Sequence, residues 1–352
     1  MTLRDFYKGK RVFVSGHTGF KGSWLVSVLS SFGADVCGYA LKQKKGELFD
    51  CINGSKLCQS NYGDVSDIKK LKKVFNNFKP EIVLHLAAQP LVLKSYSEPR
   101  ETYLTNVMGT VNILECVRNS TTVKSFINVT TDKVYKNIET DKGYVETDEL
   151  DGFDPYSNSK SCSELATHCY KQSFLDGFIS ASTARAGNVI GGGDFSKDRI
   201  IPDCVKFCSN KTPIEIRNPY SIRPYQFVLE PLFLYLEIAK RQYLDPSFAG
   251  YYNIGPDEKD CVDTKTLVEY FCSAWQDGAS YIVKTNQNAP HEAKFLKLDN
   301  TKIKTTLGWK PVYNTEQAVL RTVEWSKAYL NGEKMLDVTL KQIADFEKLY
   351  SI

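Results

Sequence analysis

Through the first half of the chain, short apolar runs alternate with stretches whose apolar residues recur every three to four positions. "RVFVS" is followed by an amphipathic Lys21–Phe32, then "ADVCGYA", then a polar stretch to about residue 60. Next come a helical pattern over Asp67–Phe78, the run "EIVLHLA", a long helix from about Arg100 to Asn119, and the run "KSFINVT". A further helix starts near Pro155, and "FISASTAR" follows it. Apolar, β-rich runs without polar alternation are strands buried on both faces. Their alternation with helices predicts an α/β fold built on a doubly wound parallel sheet.

After Gly187 the rhythm breaks at the glycine-rich "GNVIGGGDF". Shorter mixed elements follow: Ile201–Ser209, "PIEIR", Glu230–Arg241, "GYYNIG", Thr264–Trp275 and Thr315–Tyr329. They predict a smaller C-terminal α/β lobe over the sheet's carboxyl edge, so residues 1–187 form one domain and 188–352 mainly a second, interleaved with the first. In the last segment, from Leu336 to Tyr350, Leu336, Leu340, Ile343 and Phe346 fall on one helical stripe.

Composition narrows the class. The 352 residues are 42% hydrophobic and 24% charged, ordinary values for a globular protein. A net charge of +4 is small and scattered, which argues against a nucleic-acid partner. The start is polar and lacks an apolar leader, and no run is long enough to span a bilayer. The ten cysteines stand singly without a C-x-x-C pair, and only Cys204 and Cys208 share a helical face. The expectation is a cytoplasmic protein with reduced thiols, no metal centre and no membrane partner.

"GHTGFKGSW" places Gly16, Gly19 and Gly22 three apart, directly after the first strand and at the start of a helix. Glycines there let the backbone turn tightly and bring a pyrophosphate to the helix N-terminus, where free N–H groups favour anions. This makes the sheet Rossmann-type and its ligand a dinucleotide. Asp64 and Val65 close the third strand, where an adenine amino group can be received. Leu86, Ala87, Ala88 and Gln89 close the fourth, where a ribose can approach the backbone. The second strand ends "GYALKQ", with no acidic residue for a ribose 2′-hydroxyl and with Lys42 nearby, so NAD and NADP both remain open.

Tyr156 and Lys160 lie four apart and share a helical face, so the ammonium can favour the phenolate of a general base. Thr130, Thr131, Asp132 and Lys133 end the fifth strand. In an open parallel sheet ligands gather at that end, so a hydroxyl, a carboxyl and an amine in succession read as a reaction centre. Thr and Asp serve equally well in a cap or turn there.

The chain resembles the extended short-chain dehydrogenase/reductases, and within them the nucleotide-sugar 4,6-dehydratases. The likeness runs nearly end to end through the glycine loop, "LAAQPLV", "SYSEPRETYLTNVMGTVNILE", "TTDKVY", "DPYSNSK", "RAGNVIGGGDF", "RPYQFVLEPL", "HEAKFLKLD" and "LGWKP". Members acting on dTDP-glucose or GDP-mannose read Thr-Asp-Glu where this chain has Thr131-Asp132-Lys133, whereas those acting on CDP-glucose carry lysine. Tyr225 stands where the family has tryptophan, and Phe227 where it has histidine, which touches the contacts of the nucleotide pocket.

The resemblance implies bound NAD and a nucleoside-diphosphate hexose, CDP-glucose, as substrate. To the loop glycines it adds Thr18, Phe20 and Lys21 as cofactor contacts, together with Asn106, Thr130, Tyr156 and Lys160. It implies that Tyr156 takes the proton of the sugar 4-hydroxyl as hydride leaves carbon 4, with Thr131 assisting. Asp132 protonates the departing 6-hydroxyl, and the product is a 4-keto-6-deoxy sugar. Lys133 is either the base at carbon 5, which requires a neutral amine, or a cation that stabilises the enolate; the base is the favoured reading. Arg223 with Gln226 can clamp phosphate and sugar, Asn188 can reach the sugar phosphate, and Arg199 and His291 are candidate nucleotide contacts. A homodimer through the helices starting near Arg100 and Pro155 is also implied.

Overall fold

In the computed structural model, which describes residues 1–197, 199–284 and 295–352, seven strands form one parallel sheet. In chain order they are β1 (Arg11–Ser15), β2 (Asp35–Ala40), β3 (Gln59–Tyr62), β4 (Ile82–His85), β5 (Ser125–Thr131), β6 (Ser180–Ala186) and β7 (Tyr251–Ile254). Their spatial order is β7-β6-β5-β4-β1-β2-β3. The chain winds outward from β1 through β2 to β3, then crosses back to place β4 on the other side of β1. That reversal opens a crevice at the carboxyl ends of β1 and β4.

Side chains alternate across the sheet as its pleat requires. Val12 and Val14 of β1, Ile82 and Leu84 of β4, and Ile127 and Val129 of β5 enter one buried cluster. Phe13, Val83 and Phe126 enter the cluster on the opposite face. The first face is covered by α1 (Phe20–Ser31), whose apolar residues Trp24, Leu25, Val28 and Leu29 are fully buried, and by the helix Leu229–Leu244. The second is covered by α2 (Ile68–Phe78), α3 (Gly109–Arg118) and α4 (Pro155–Tyr170).

Two features depart from the simple pattern. The long helix expected from Arg100 to Asn119 is present but carries a π-helical turn: Pro99–Tyr103 runs into Leu104–Met108 and on into α3 with helical backbone at both junctions. And "GYYNIG" is not a piece of a separate small sheet. Its residues 251–254 form β7 at the sheet edge, in parallel register with β6 from Tyr251 opposite Thr183 to Ile254 opposite Ala186. The remaining strands after residue 187 are short pairs, 188–190 with 225–227, 222–223 with 262–263, and 214–216 with 281–283. Of these, Asn188 to Ile190, Glu215, Arg223 and Tyr225 line the crevice.

Candidate active site

The crevice is set by glycines. Gly16 follows β1 with φ +76°, and a Cβ there would stand 2.7 Å from the Ala87 nitrogen that follows β4. A Cβ on Gly22 would stand 2.1 Å from the Gly16 carbonyl oxygen, so α1 can press against the loop only without one. Gly19 caps α1 with no side-chain hydrogen bond, and the first-turn residues Phe20, Lys21 and Gly22 line a cavity of about 1330 Å³. A bare helix N-terminus on a wall of backbone fits a pyrophosphate.

The other residues of the loop have structural duties. His17 is fully buried against Gly38, where a Cβ would stand 2.3 Å from its ring, and its Nε2 lies 3.1 Å from the Ser60 hydroxyl. Burial pushes His17 down to about 4, so its ring is neutral. Trp24 donates its indole N–H to the Gly192 carbonyl at 3.0 Å, which ties α1 to the glycine-rich segment that heads the outer wall.

At the carboxyl end of β5, Thr131 caps a single 3₁₀ turn, Asp132–Val134. Its hydroxyl donates to Asp132 Oδ1 at 2.8 Å, and the Lys133 ammonium meets the same oxygen at 3.4 Å. Asp132 is 1% exposed, and its Oδ2 is buried without a protein partner. α4 begins with Asp154 as N-cap, accepting from the Tyr156 and Ser157 nitrogens at 3.0 Å, and with Pro155 in its first turn. Such a cap is worth about 1 kcal/mol and fixes where the helix starts. Tyr156 therefore sits in the first turn, facing Thr131, and Lys160 one turn deeper, donating to the Val129 carbonyl at 2.9 Å.

The electrostatics are those of a crowded, dry floor. Burial pushes the Tyr156 phenol up to about 12, against the opposing pull of the Thr131 hydrogen bond. Burial also lowers Lys160 to about 8, with the Glu164 carboxylate acting in the other direction. Lys21, 3.3 Å from the Tyr235 hydroxyl, falls to about 7 through burial and then through repulsion from Lys160 and Arg199. Lys160 and Arg199 thus both act on Lys21 at one end of the cavity, which suits an anionic guest.

Most of the residues anticipated from sequence stand on this one cavity. Its wall includes Gly16, Thr18, Gly19, Asp64, Val65 and Leu86 to Ala88 on the glycine-loop side, and Thr130 to Lys133, Tyr156 and Lys160 at the floor. Asn188, Arg199 and Arg223 stand on the outer wall, with Arg199 paired to Asp194 at 2.9 Å. Three do not line it. Gln226 is buried and donates to the Ile254 carbonyl at 2.9 Å. Asn106, carried by the π-turn, bonds the Gln89 backbone in both directions, at 2.8 and 3.1 Å, and reaches the Ser159 hydroxyl at 2.8 Å. Gln89 turns its own amide to Leu91 and Thr102. His291 lies outside the described residues.

The structure adds wall residues with no warning in the sequence. Glu215 and Arg217 reach the cavity mouth because strand 214–216 pairs with 281–283, a long-range pairing without a local signal. Glu164, in contrast, continues the four-residue spacing of Tyr156 and Lys160, and that periodicity was legible. Among the described residues no cluster of metal-ligating side chains occurs, and no helix is long and apolar enough to cross a membrane.

Residues 13–322 match the family described as GDP-mannose 4,6 dehydratase. The chain is 45% identical over 354 residues to a CDP-glucose 4,6-dehydratase of Salmonella typhimurium, covering 98% of each. It is 25% identical to a UDP-glucose 4-epimerase of Mycolicibacterium smegmatis, over 90% of this chain and 98% of that one. Among solved structures, a UDP-glucose 4-epimerase of Thermotoga maritima with UDP-glucose superposes with TM-score 0.79 at 22% identity, over 91% of this chain and 99% of that one. A dTDP-glucose 4,6-dehydratase of Bacillus anthracis in complex with NAD gives 0.76 at 21%, over 93% and 100%.

Proposed function

The chain belongs to the GDP-mannose 4,6-dehydratase family, and from that premise we infer that it converts CDP-glucose to CDP-4-keto-6-deoxyglucose with NAD as bound cofactor. The glycine loop and the first turn of α1 would hold the pyrophosphate, with Asp64 and Val65 beside the adenine, and Tyr156 and Lys160 beside the nicotinamide ribose. When bound, the nicotinamide would supply a reversible hydride acceptor, so that oxidation at carbon 4 and reduction at carbon 6 leave no net redox change.

The protein's own groups move the protons. Tyr156 takes the proton of the 4-hydroxyl, and the Lys160 ammonium stabilises the phenolate. Thr131 orients that hydroxyl. The 4-ketone acidifies the hydrogen on carbon 5, and Lys133 removes it. Asp132 gives its proton to the 6-hydroxyl, which leaves as water. Lys133 then returns a proton to carbon 5, and passage of the Tyr156 proton to the Asp132 carboxylate restores both groups, so atoms and charges balance. Arg223 and Asn188 would grip the sugar phosphates, Arg199 the nucleotide.

The observation that carries this reading is Asp132 itself, buried on the cavity wall with one oxygen free of protein partners. A 4-epimerase expels no water and has no use for such an acid. The test is incubation with NAD and CDP-, dTDP-, GDP- and UDP-hexoses. The expected result is a 4-keto-6-deoxy product from CDP-glucose without reduced cofactor accumulating. Stoichiometric reduced cofactor with the 6-hydroxyl intact would mean a simple dehydrogenase, and CDP-galactose would mean an epimerase.

The same reading includes a homodimer. Met108, Leu165 and Phe174 are exposed on the helices through residues 99–118 and 155–175. Two-fold packing of that helical face against a second copy would cover them.

A further inference from the structure

α4 carries a third buried polar residue in step with Tyr156 and Lys160. Glu164 lies one further turn along and is 1% exposed. Its Oε2 accepts from the Thr183 hydroxyl at 2.7 Å and from Arg185 at 2.9 Å, and its Oε1 accepts from the Thr130 hydroxyl. Arg185, 2% exposed, is held in turn by the Tyr135 hydroxyl at 2.8 Å and the Glu146 carbonyl at 3.0 Å, while Tyr135 donates to Asn253 at 2.6 Å. Every oxygen of the carboxylate is engaged, and the cluster joins β5, β6, β7 and α4.

The place where this carboxylate grips β5 matters. Thr130 stands between Val129, whose carbonyl accepts from the Lys160 ammonium, and Thr131, whose hydroxyl donates a hydrogen bond to Asp132. One side chain therefore fixes the strand end that presents the reacting groups, and also sets a negative charge one turn from the lysine. We propose that Glu164 is a positioning residue of the reaction centre, which sets its carboxylate one helical turn from Lys160 and pins the β5 end through Thr130. The proposal rests on Tyr156 and Lys160 acting as assigned above.

The charges facing Lys160 are Lys21 from α1 and Glu164 from its own helix, with Tyr156 one turn before it and the neutral His85 of β4 beside it. Arg185 lies behind Glu164. Of these, Glu164 is the carboxylate that raises the lysine against its burial. An ion pair of this depth does not argue for stability, since two buried charges are costly to desolvate. Its placement beside the reaction centre bears instead on the neighbouring amine.

The test is direct titration of the Lys160 amine by nitrogen-15 NMR of side-chain-labelled protein without cofactor, with Lys160→Met as assignment control. In Glu164→Gln the amine is expected to titrate about one pH unit or more below the wild type. With NAD and CDP-glucose, the alkaline limb of the kcat profile should move down by the same amount. Glu164→Asp should restore part of the shift. An unmoved Lys160 titration in folded Glu164→Gln, whatever its activity, overturns the proposal. If that variant does not fold, Glu164→Asp, which keeps the charge but draws it back from Thr130 and Lys160, is read against the wild type: a lowered titration supports the role and an unchanged one ends it. Failure of the substrate assignment would leave this titration unaffected.

Discussion

Thr131 donates its hydroxyl hydrogen to Asp132 Oδ1 at 2.8 Å, and Lys133 reaches the same oxygen, so the proton Asp132 can deliver belongs on Oδ2, which no protein group occupies. Asp132→Asn keeps the shape and the Thr131 contact but removes that proton. In the mechanism proposed above, oxidation at carbon 4 rests on Tyr156, Thr131 and Lys160 and should persist, whereas water loss should slow by on the order of 10²–10⁴. Single-turnover absorbance of reduced cofactor, read beside product analysis, separates the two. Equal loss of both steps in a folded variant would take the acid role from Asp132.

Lys133 is tested by two substitutions at once. As the base at carbon 5, it is replaceable by another base, so Lys133→Glu should retain partial activity with its optimum moved to lower pH. Lys133→Met should lose solvent-deuterium incorporation at carbon 5 while still binding CDP-glucose. An enolate-stabilising cation predicts the opposite order, because glutamate would set a negative charge against a developing one. Glutamate below methionine in rate, with both variants folded, would overturn the base assignment.

Lys21 makes the folded protein's stability depend on pH. Its amine titrates near 7 in the folded chain against an ordinary 10.5, chiefly because it is buried. Below 7 both states carry the proton and the full burial cost is felt. Between 7 and 10.5 the unfolded chain binds a proton that the folded one does not, so stability rises with pH across that window. Lys21→Met should therefore stabilise the cofactor-free protein by on the order of 2 kcal/mol near neutral pH and below, with the gain fading towards pH ~10. Thermal unfolding across that range checks it; a pH-independent difference would mean that the amine is not buried as a cation.

For the dimer, Met108→Arg with Leu165→Arg places charge on the exposed apolar face without touching the cavity. Light scattering at micromolar concentration should show the wild type at twice the chain mass and the double variant at one. A monomeric wild type would refute the arrangement.

Much of this was legible in the chain. Buried β-rich runs marked β1, β2, β4, β5 and β6, because a strand covered on both faces needs no polar alternation, whereas the polar edge strand β3 lay in a stretch without that signal. Gly16 and Gly22 announced the cradle because only glycine permits the contacts found there. Tyr156 and Lys160 were visible through helical spacing. What escaped were features decided at long range. Asn106 has the sequence context of a site residue, yet a π-turn directs it to the Gln89 backbone. Gln226 is turned inward to Ile254 by the pairing of strand 225–227 with 188–190. Glu215 and Arg217 reach the cavity through a strand pair that no local pattern foretells.

The position of β7 limits how this protein can be re-engineered. The strand and the helix Leu229–Leu244 before it complete the sheet and its hydrophobic cover, although they follow the first substrate-facing segments in the chain. Substrate choice and cofactor housing are thus spliced together rather than arranged as exchangeable cassettes. A chimera that takes everything after residue 187 from a relative would replace the edge of its own sheet and must re-form the β6 seam with foreign side chains. One that transplants 188–228 and the chain beyond 255, keeping 229–254 native, leaves that seam intact. The second kind of chimera should fold where the first aggregates, since an unpaired β6 would offer its backbone to any neighbouring chain.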